Sequence, residues 1–113
     1  MKIAIYGRQF NNSVLPYVQQ VFDSLAKHDI EPFVYEKYCQ FISGRIFFPK
    51  KFQIFKNYAE LIQSEVDVLI SLGGDGTMLD TVTLIRDSQI PIIGINFGRL
   101  GFLASINKVD IQS

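Results

Sequence analysis

Short apolar runs closed by glycine alternate along this chain with longer stretches at helical spacing. Lys2 to Tyr6 is a short apolar run ending at Gly7 and reads as a first strand. Asn11, Asn12 and Ser13 then offer helix N-caps, and Pro16 falls in the first turn, where a missing N–H costs little. Val14, Val18, Val21, Phe22 and Leu25 follow at the spacing of an amphipathic helix, predicted over Val14 to Lys27. Phe33, Val34 and Tyr35 place a second strand over Glu31 to Tyr35. The rhythm then weakens between residues 36 and 64. There Phe41, Ile42, Ile46, Phe47, Phe48, Phe52, Ile54 and Phe55 mix with Lys50, Lys51 and Lys56. A loop and a helix that pack aromatic side chains are expected, the helix finishing over Tyr58 to Ser64.

The pattern sharpens after residue 65. Val66, Val68, Leu69, Ile70 and Leu72 form a continuous apolar run bounded by Gly73 and Gly74. Such runs suit central parallel strands, buried on both faces. Thr77 is expected to cap a helix carrying Leu79, Val82, Leu84 and Ile85. Ile90 to Ile95 is another strand of the buried type, and Asn96 to Gly101 is a glycine-punctuated loop. Strand, helix, strand in this order predicts an α/β domain, a parallel sheet covered by helices.

Composition narrows the class without naming a function. At 113 residues the chain suffices for one small domain, and 48% hydrophobic with 19% charged residues is ordinary for a packed soluble protein. Eleven basic and eleven acidic side chains cancel, so nothing in the balance suggests a nucleic-acid surface or a polybasic membrane anchor. The neutral total also favours packing over base stacking for the aromatic and basic stretch 41–56. The single cysteine, Cys39, cannot form an internal disulfide. No histidine motif surrounds it, since His28 is the only histidine, and a partly buried thiol is expected. The N-terminus is too short and too soon interrupted by Gly7 and Arg8 to be a signal peptide, and no run approaches a membrane span. The cytoplasm is the expected compartment.

Candidate chemistry concentrates in Gly73-Gly74-Asp75-Gly76-Thr77, between a buried strand and a helix. Glycines let the backbone turn sharply and approach a ligand. The helix start offers free N–H groups and the positive end of a dipole, so the segment can cradle phosphate. It has neither the spacing nor the lysine of a P-loop, and it is not the G-x-G-x-x-G fingerprint. Asp75 is the informative residue, because a carboxylate beside phosphate is repulsive. Three roles account for it: a ligand for Mg²⁺, a base for an attacking hydroxyl, or a cap in a tight turn. In open α/β sheets ligands lie at the carboxyl ends of strands, where both glycine-rich loops, Gly73 to Thr77 and Gly98 to Gly101, are expected. By the same logic Arg8, just after the first strand, can approach phosphate.

Gly-Gly-Asp-Gly-Thr directly after an apolar strand is shared by NAD kinases, by diacylglycerol and sphingosine kinases and, in a related form, by phosphofructokinases. Here the loop continues Met78-Leu79-Asp80. Pro91-Ile92-Ile93-Gly94-Ile95-Asn96-Phe97-Gly98-Arg99-Leu100-Gly101-Phe102-Leu103 follows, and this second stretch resembles the NAD kinase pattern of a strand ending in G-x-L-G-F. Lipid kinases of the superfamily usually place Asn-Glu soon after the threonine, where this chain has Asp80-Thr81. The resemblance runs from Met1 to about Ile106 and is strongest after Val66.

The resemblance to NAD kinases implies a Rossmann-like three-layer α/β domain with a mostly parallel sheet, the N-terminal half of a protein whose second, all-β domain is not in this sequence. It implies transfer of a phosphoryl group from ATP or polyphosphate to the 2′-hydroxyl of the adenosine ribose of NAD, giving NADP, with Mg²⁺ as cofactor. By position, Asp75 is the expected catalytic base. Gly73, Gly74, Gly76 and Thr77 shape the loop that holds donor phosphates and NAD. Leu79 and Phe102 are expected to line the NAD pocket, Phe102 beside an adenine-type ring. Asn96 supports the second loop, and Arg8 and Arg99 are the candidate phosphate contacts. Some relatives carry a basic residue where Asp80 stands, which argues against a phosphate contact there. The complete protein is expected to be a homodimer or homotetramer. The 113 residues alone are expected to be inactive, because a divided site loses its positioning. A lipid kinase and a non-enzymatic nucleotide-binding module are the alternatives.

Overall fold

The computed structural model describes residues 1–8, 12–85 and 88–96, without the side chains of Asn12, Asp75 and Asn96. Five strands are joined by helical crossovers: β1 (Ile3–Gly7), α1 (Leu15–Lys27), β2 (Pro32–Tyr35), α2 (Glu36–Ile42), β3 (Gln53–Phe55), α3 (Tyr58–Gln63), β4 (Val68–Gly73), α4 (Asp75–Ile85) and β5 (Ile92–Asn96). They form one sheet in the order β3-β2-β1-β4-β5. Every pairing is parallel, with Ile5 beside both Val34 and Ile70, and Leu72 beside Ile95.

Strand alternation explains the three layers. Ile3, Ile5, Val34, Ile70 and Leu72 share one core with Val18, Phe22 and Leu25 of α1 and Tyr38, Cys39 and Ile42 of α2. Their alternate neighbours Ala4 and Leu69 join Phe55, Leu61 of α3 and Ile85 of α4 in a second core on the other face. The chain builds outward from β1 to β3, then crosses back to β4 and builds the other way. With crossovers of one hand, that reversal moves the helices to the opposite face.

The structure corrects several boundaries. Asn12 to Val14 form a 3₁₀ turn, and the N-cap of α1 is Val14 without a side-chain cap bond. The tight turn takes the place of the expected Asn or Ser cap; Asn11 lies outside the described residues. Between residues 36 and 64 there are two helices and an edge strand. β3 is three residues long, with only Phe55 buried, too short for a period to register. α3 is a separate helix. The Asn57 side chain accepts from the Glu60 N–H at 2.9 Å, and Glu60 reaches back to the Lys56 N–H at 2.8 Å. Most aromatics of the stretch pack as expected, Phe41, Phe48 and Phe52 against the first core and Phe55 in the second. Phe47 instead stands 86% exposed.

Candidate functional site

The reversal in strand order falls between β1 and β4, whose carboxyl ends meet at Gly7 beside Leu72. Adjacent crossovers leave this point for opposite faces, which opens a crevice there. Gly73 and Gly74 follow on one lip, and Arg8 on the other.

The glycine-rich segment is a tight strand-to-helix turn. α4 begins at Asp75, so Thr77 lies inside the first helical turn and is not its N-cap as expected from the sequence. The physical reason is reciprocal bonding around Gly74. Its carbonyl accepts from the Thr77 N–H at 3.1 Å and the Met78 N–H at 3.3 Å, while its N–H donates to the Thr77 hydroxyl at 3.3 Å. Thr77 thus caps backward from the third helical position. Gly73 has φ +155, a conformation side chains rarely adopt, and a Cβ there would fall on the Thr77 hydroxyl.

A buried polar ladder fixes the turn to the sheet. The Thr81 hydroxyl donates to the Thr77 carbonyl at 2.8 Å and lies 2.8 Å from the Ser71 hydroxyl. Thr81 has one proton, already given to Thr77, so Ser71 is the donor in their bond. Both residues are buried, at 0% and 3% exposure. The sequence offered no more than two hydroxyl residues at the right register to suggest this.

Arg8 reaches over the turn. Its guanidinium is 3.1 Å from the Asp80 carboxylate, and a Cβ on Gly76 would lie 3.3 Å from the same Nη1. Asp80 is therefore the partner of Arg8. Both are about half-exposed, so the pair orients the guanidinium more than it stabilises the fold. Beneath it, burial pushes the Tyr6 hydroxyl up from its ordinary value; the Asp80 carboxylate and Tyr35 add to this while Arg8 opposes it.

Arg8 also borders a cleft of about 450 Å³ at the carboxyl ends of β1 and β2, lined by Tyr6, Gly7, Tyr35, Lys37, Tyr38 and Phe41. Sequence reasoning missed Lys37 and Tyr38. Tyr38 packs so closely on the end of β1 that a Cβ on Gly7 would lie 2.6 Å from its ring. Burial holds the Tyr38 hydroxyl far above its ordinary value, so it stays neutral.

Of the sequence-derived candidates, the structure brings together Arg8, Gly73, Gly74, Gly76 and Thr77, with Asp75 as the first residue of α4. Leu79 lies on α4 at 71% exposure. Asn96 ends β5, paired with Gly73. The Asp75 and Asn96 side chains, Arg99, Phe102 and the rest of the second loop lie outside the described residues. Cys39 is buried in the first core, its thiol raised by burial and by Glu36, and takes no part in the crevice.

Fold and site together define a doubly wound parallel α/β domain with a glycine turn at its switch point, a class built to receive phosphate groups. More narrowly, the chain belongs to the ATP-NAD kinase family: residues 3–113 match the model described as "ATP-NAD kinase N-terminal domain". It is 39% identical over 113 residues to an NAD kinase of Flavobacterium psychrophilum and 39% identical over 113 residues to one of Christiangramia forsetii, covering 100% of this chain in each case. It spans 38% of the length of these curated relatives. Among solved structures, yeast NADH kinase complexed with NADH matches with a TM-score of 0.68 and 20% identity, covering 90% of this chain and 33% of that one, a likeness of fold.

Proposed function

We propose that the complete protein of which this chain is the N-terminal domain is a cytoplasmic NAD kinase. It moves the terminal phosphoryl group of ATP, or of a polyphosphate, onto the 2′-hydroxyl of the adenosine ribose of NAD. The observation that most supports this reading is the Gly73–Thr77 turn, at the switch point and under Arg8, in a chain matched by the family over residues 3–113.

The chemistry follows from position. Phosphoryl transfer passes through a loose transition state, so catalysis is mostly alignment and charge neutralisation. The N–H groups opening α4 and the Arg8 guanidinium face the charge that develops on the donor phosphates. The Asp75 carboxylate takes the proton of the 2′-hydroxyl as its oxygen bonds to phosphorus, while the bond from phosphorus to the leaving diphosphate oxygen breaks. Leu79, Asn96 and Phe102 are the residues proposed to contact NAD, and Arg99 a second phosphate contact. Mg²⁺ takes most of its ligands from phosphate and water. Asp75 is the residue that would complete such a shell in this reading, whereas Asp80 is engaged by Arg8. When bound, the ion neutralises phosphate charge. The complete protein is a homodimer or homotetramer in this reading.

The test is NADP formation from NAD, ATP and Mg²⁺ by the complete protein, read with an NADP-specific dehydrogenase. Turnover is expected, and Asp75→Asn should keep the fold and remove nearly all of it. A folded, complete protein that makes no NADP with any phosphoryl donor would sink the proposal, and phosphorylation of a lipid alcohol instead would replace it.

A further inference from the structure

The cleft beside the turn has a composition that phosphate binding alone does not require. Arg8 and Lys37 bring two cations to it, and among the described residues that line it none carries a carboxylate. The rest of the wall is aromatic. Tyr6 and Tyr35 have ring centroids 4.9 Å apart, and Tyr38 and Phe41 6.4 Å apart. The Arg45 guanidinium stacks on Phe41 with its carbon 5.0 Å from the centroid, and its Nε donates to the Phe41 carbonyl at 2.8 Å. Phe41 is thereby held at the mouth. A cleft of about 450 Å³ has the size of a small-ligand site. Flat rings beside cations suit a ligand with an aromatic base at one end and phosphates at the other.

The sheet order indicates which nucleotide this is. β5 lies on one side of β4, and β1 and β2 on the other. The NAD contacts in the proposed function come from α4 and from beyond β5. The cleft opens at the ends of β1 and β2, across the turn from them. Arg8 joins the two regions, since it lines the cleft and also stands over Gly76. Two nucleotides approaching from opposite sides would therefore meet at Asp75 to Thr77.

We propose that this aromatic and basic cleft is the subsite for the purine base and outer phosphates of the nucleoside triphosphate donor, with Phe41 and Tyr35 against the base and Lys37 and Arg8 along the phosphates. The assignment rests on the proposed kinase reading. It adds donor recognition by the base, which a site reading phosphates alone would not have.

The test separates base from phosphates. Titration calorimetry on the complete protein with Mg²⁺ compares ATP with inorganic triphosphate, which has no base. Phe41→Leu should weaken ATP about tenfold, from lost stacking, and leave triphosphate unchanged. Lys37→Ala, at an exposed position where folding is not at risk, should weaken both ligands about equally, by several-fold. The subsite is refuted by absence of ATP binding, by Lys37→Ala that leaves both affinities unchanged, or by a folded Phe41→Leu that binds ATP as tightly as the parent or loses both ligands alike. Failure of the kinase reading is visible apart from this: the protein would then bind ATP with the expected dependence and yet form no NADP.

Discussion

Replacing Thr81 by valine tests how the glycine turn is held to the sheet. The change keeps the shape of a fully buried side chain and removes one hydroxyl. Two bonds vanish, at 2.8 Å to the Thr77 carbonyl and 2.8 Å to Ser71. The losses differ in kind. The Thr77 carbonyl keeps the backbone bond that an α-helix supplies from four residues on. Ser71 is left with a buried donor and no acceptor, which costs about 1–3 kcal/mol. Ser71→Ala removes the donor itself, and Thr81 still donates to Thr77, so the loss should be about 0.5–1.5 kcal/mol. The double variant leaves no orphaned group and should be more stable than the sum of the single losses implies, with a coupling of about 0.5–3 kcal/mol. The assay is urea unfolding of the complete protein and its three variants by circular dichroism, compared at constant denaturant slope. Strict additivity, or Ser71→Ala as damaging as Thr81→Val, would refute the assignment of Ser71 as donor.

Further outcomes follow from the same geometry. Gly73→Ala forces a Cβ onto Thr77 at φ +155. The backbone conformation alone should cost about 1–3 kcal/mol. Displacing the turn should lower turnover on the order of 100-fold. Near-parental NADP formation would show that the turn does not position the reaction. Asp80→Asn removes a half-exposed carboxylate from the phosphate side, so stability should change by less than about 1 kcal/mol. The KM for the donor of the proposed reaction should rise several-fold as Arg8 loses its anchor beside the turn, and an unchanged or lower KM would show that Asp80 does not position Arg8. Alkali should destabilise the fold, because the hydroxyls of Tyr38 and Tyr6 and the thiol of Cys39 are all raised by burial. A group with a raised folded value adds stability that is complete below its unfolded value. That contribution is lost as pH climbs from near 9 for the thiol and near 10 for the tyrosines. The urea midpoint should therefore decline above pH 9, and Cys39→Ala should remove the earliest part of the decline; a flat profile to pH 11 contradicts it.

Strength of periodicity decided what could be read in advance. β1, β4 and α1 carry long or strongly patterned apolar runs and lie close to where the sequence places them. β3 is a three-residue edge with one buried side chain, and β-pairing to Phe33, Val34 and Tyr35 creates it more than its own residues do. The start of α4 was displaced by a specific competition. Threonine before an apolar helix reads as an N-cap, yet Gly74 occupies that position because the chain turns at Gly73, φ +155, and the Gly74 carbonyl and N–H are already bonded to Thr77. The motif exposed the turn; the backbone bonds that close it are invisible until β4 and α4 are placed.

The neighbours of the site were hidden for a different reason, because they depend on strand order. Arg8 and Asp80 stand far apart along the chain. They meet because β1 lies next to β4 and α4 returns across the crevice. This proximity also bears on why an acidic residue is tolerated at position 80, close to where phosphates would enter. An unpaired carboxylate there would repel the donor, but this one faces a guanidinium delivered by the adjacent strand. The pair has no net charge in the absence of ligand, and each partner is about half-exposed. Arriving phosphate can draw Arg8 toward Gly76 at small loss, since an exposed ion pair is worth little to the fold. In the proposed kinase, pairing with Asp80 would thus keep Arg8 near the turn before the donor arrives, without binding it so tightly that it is withheld.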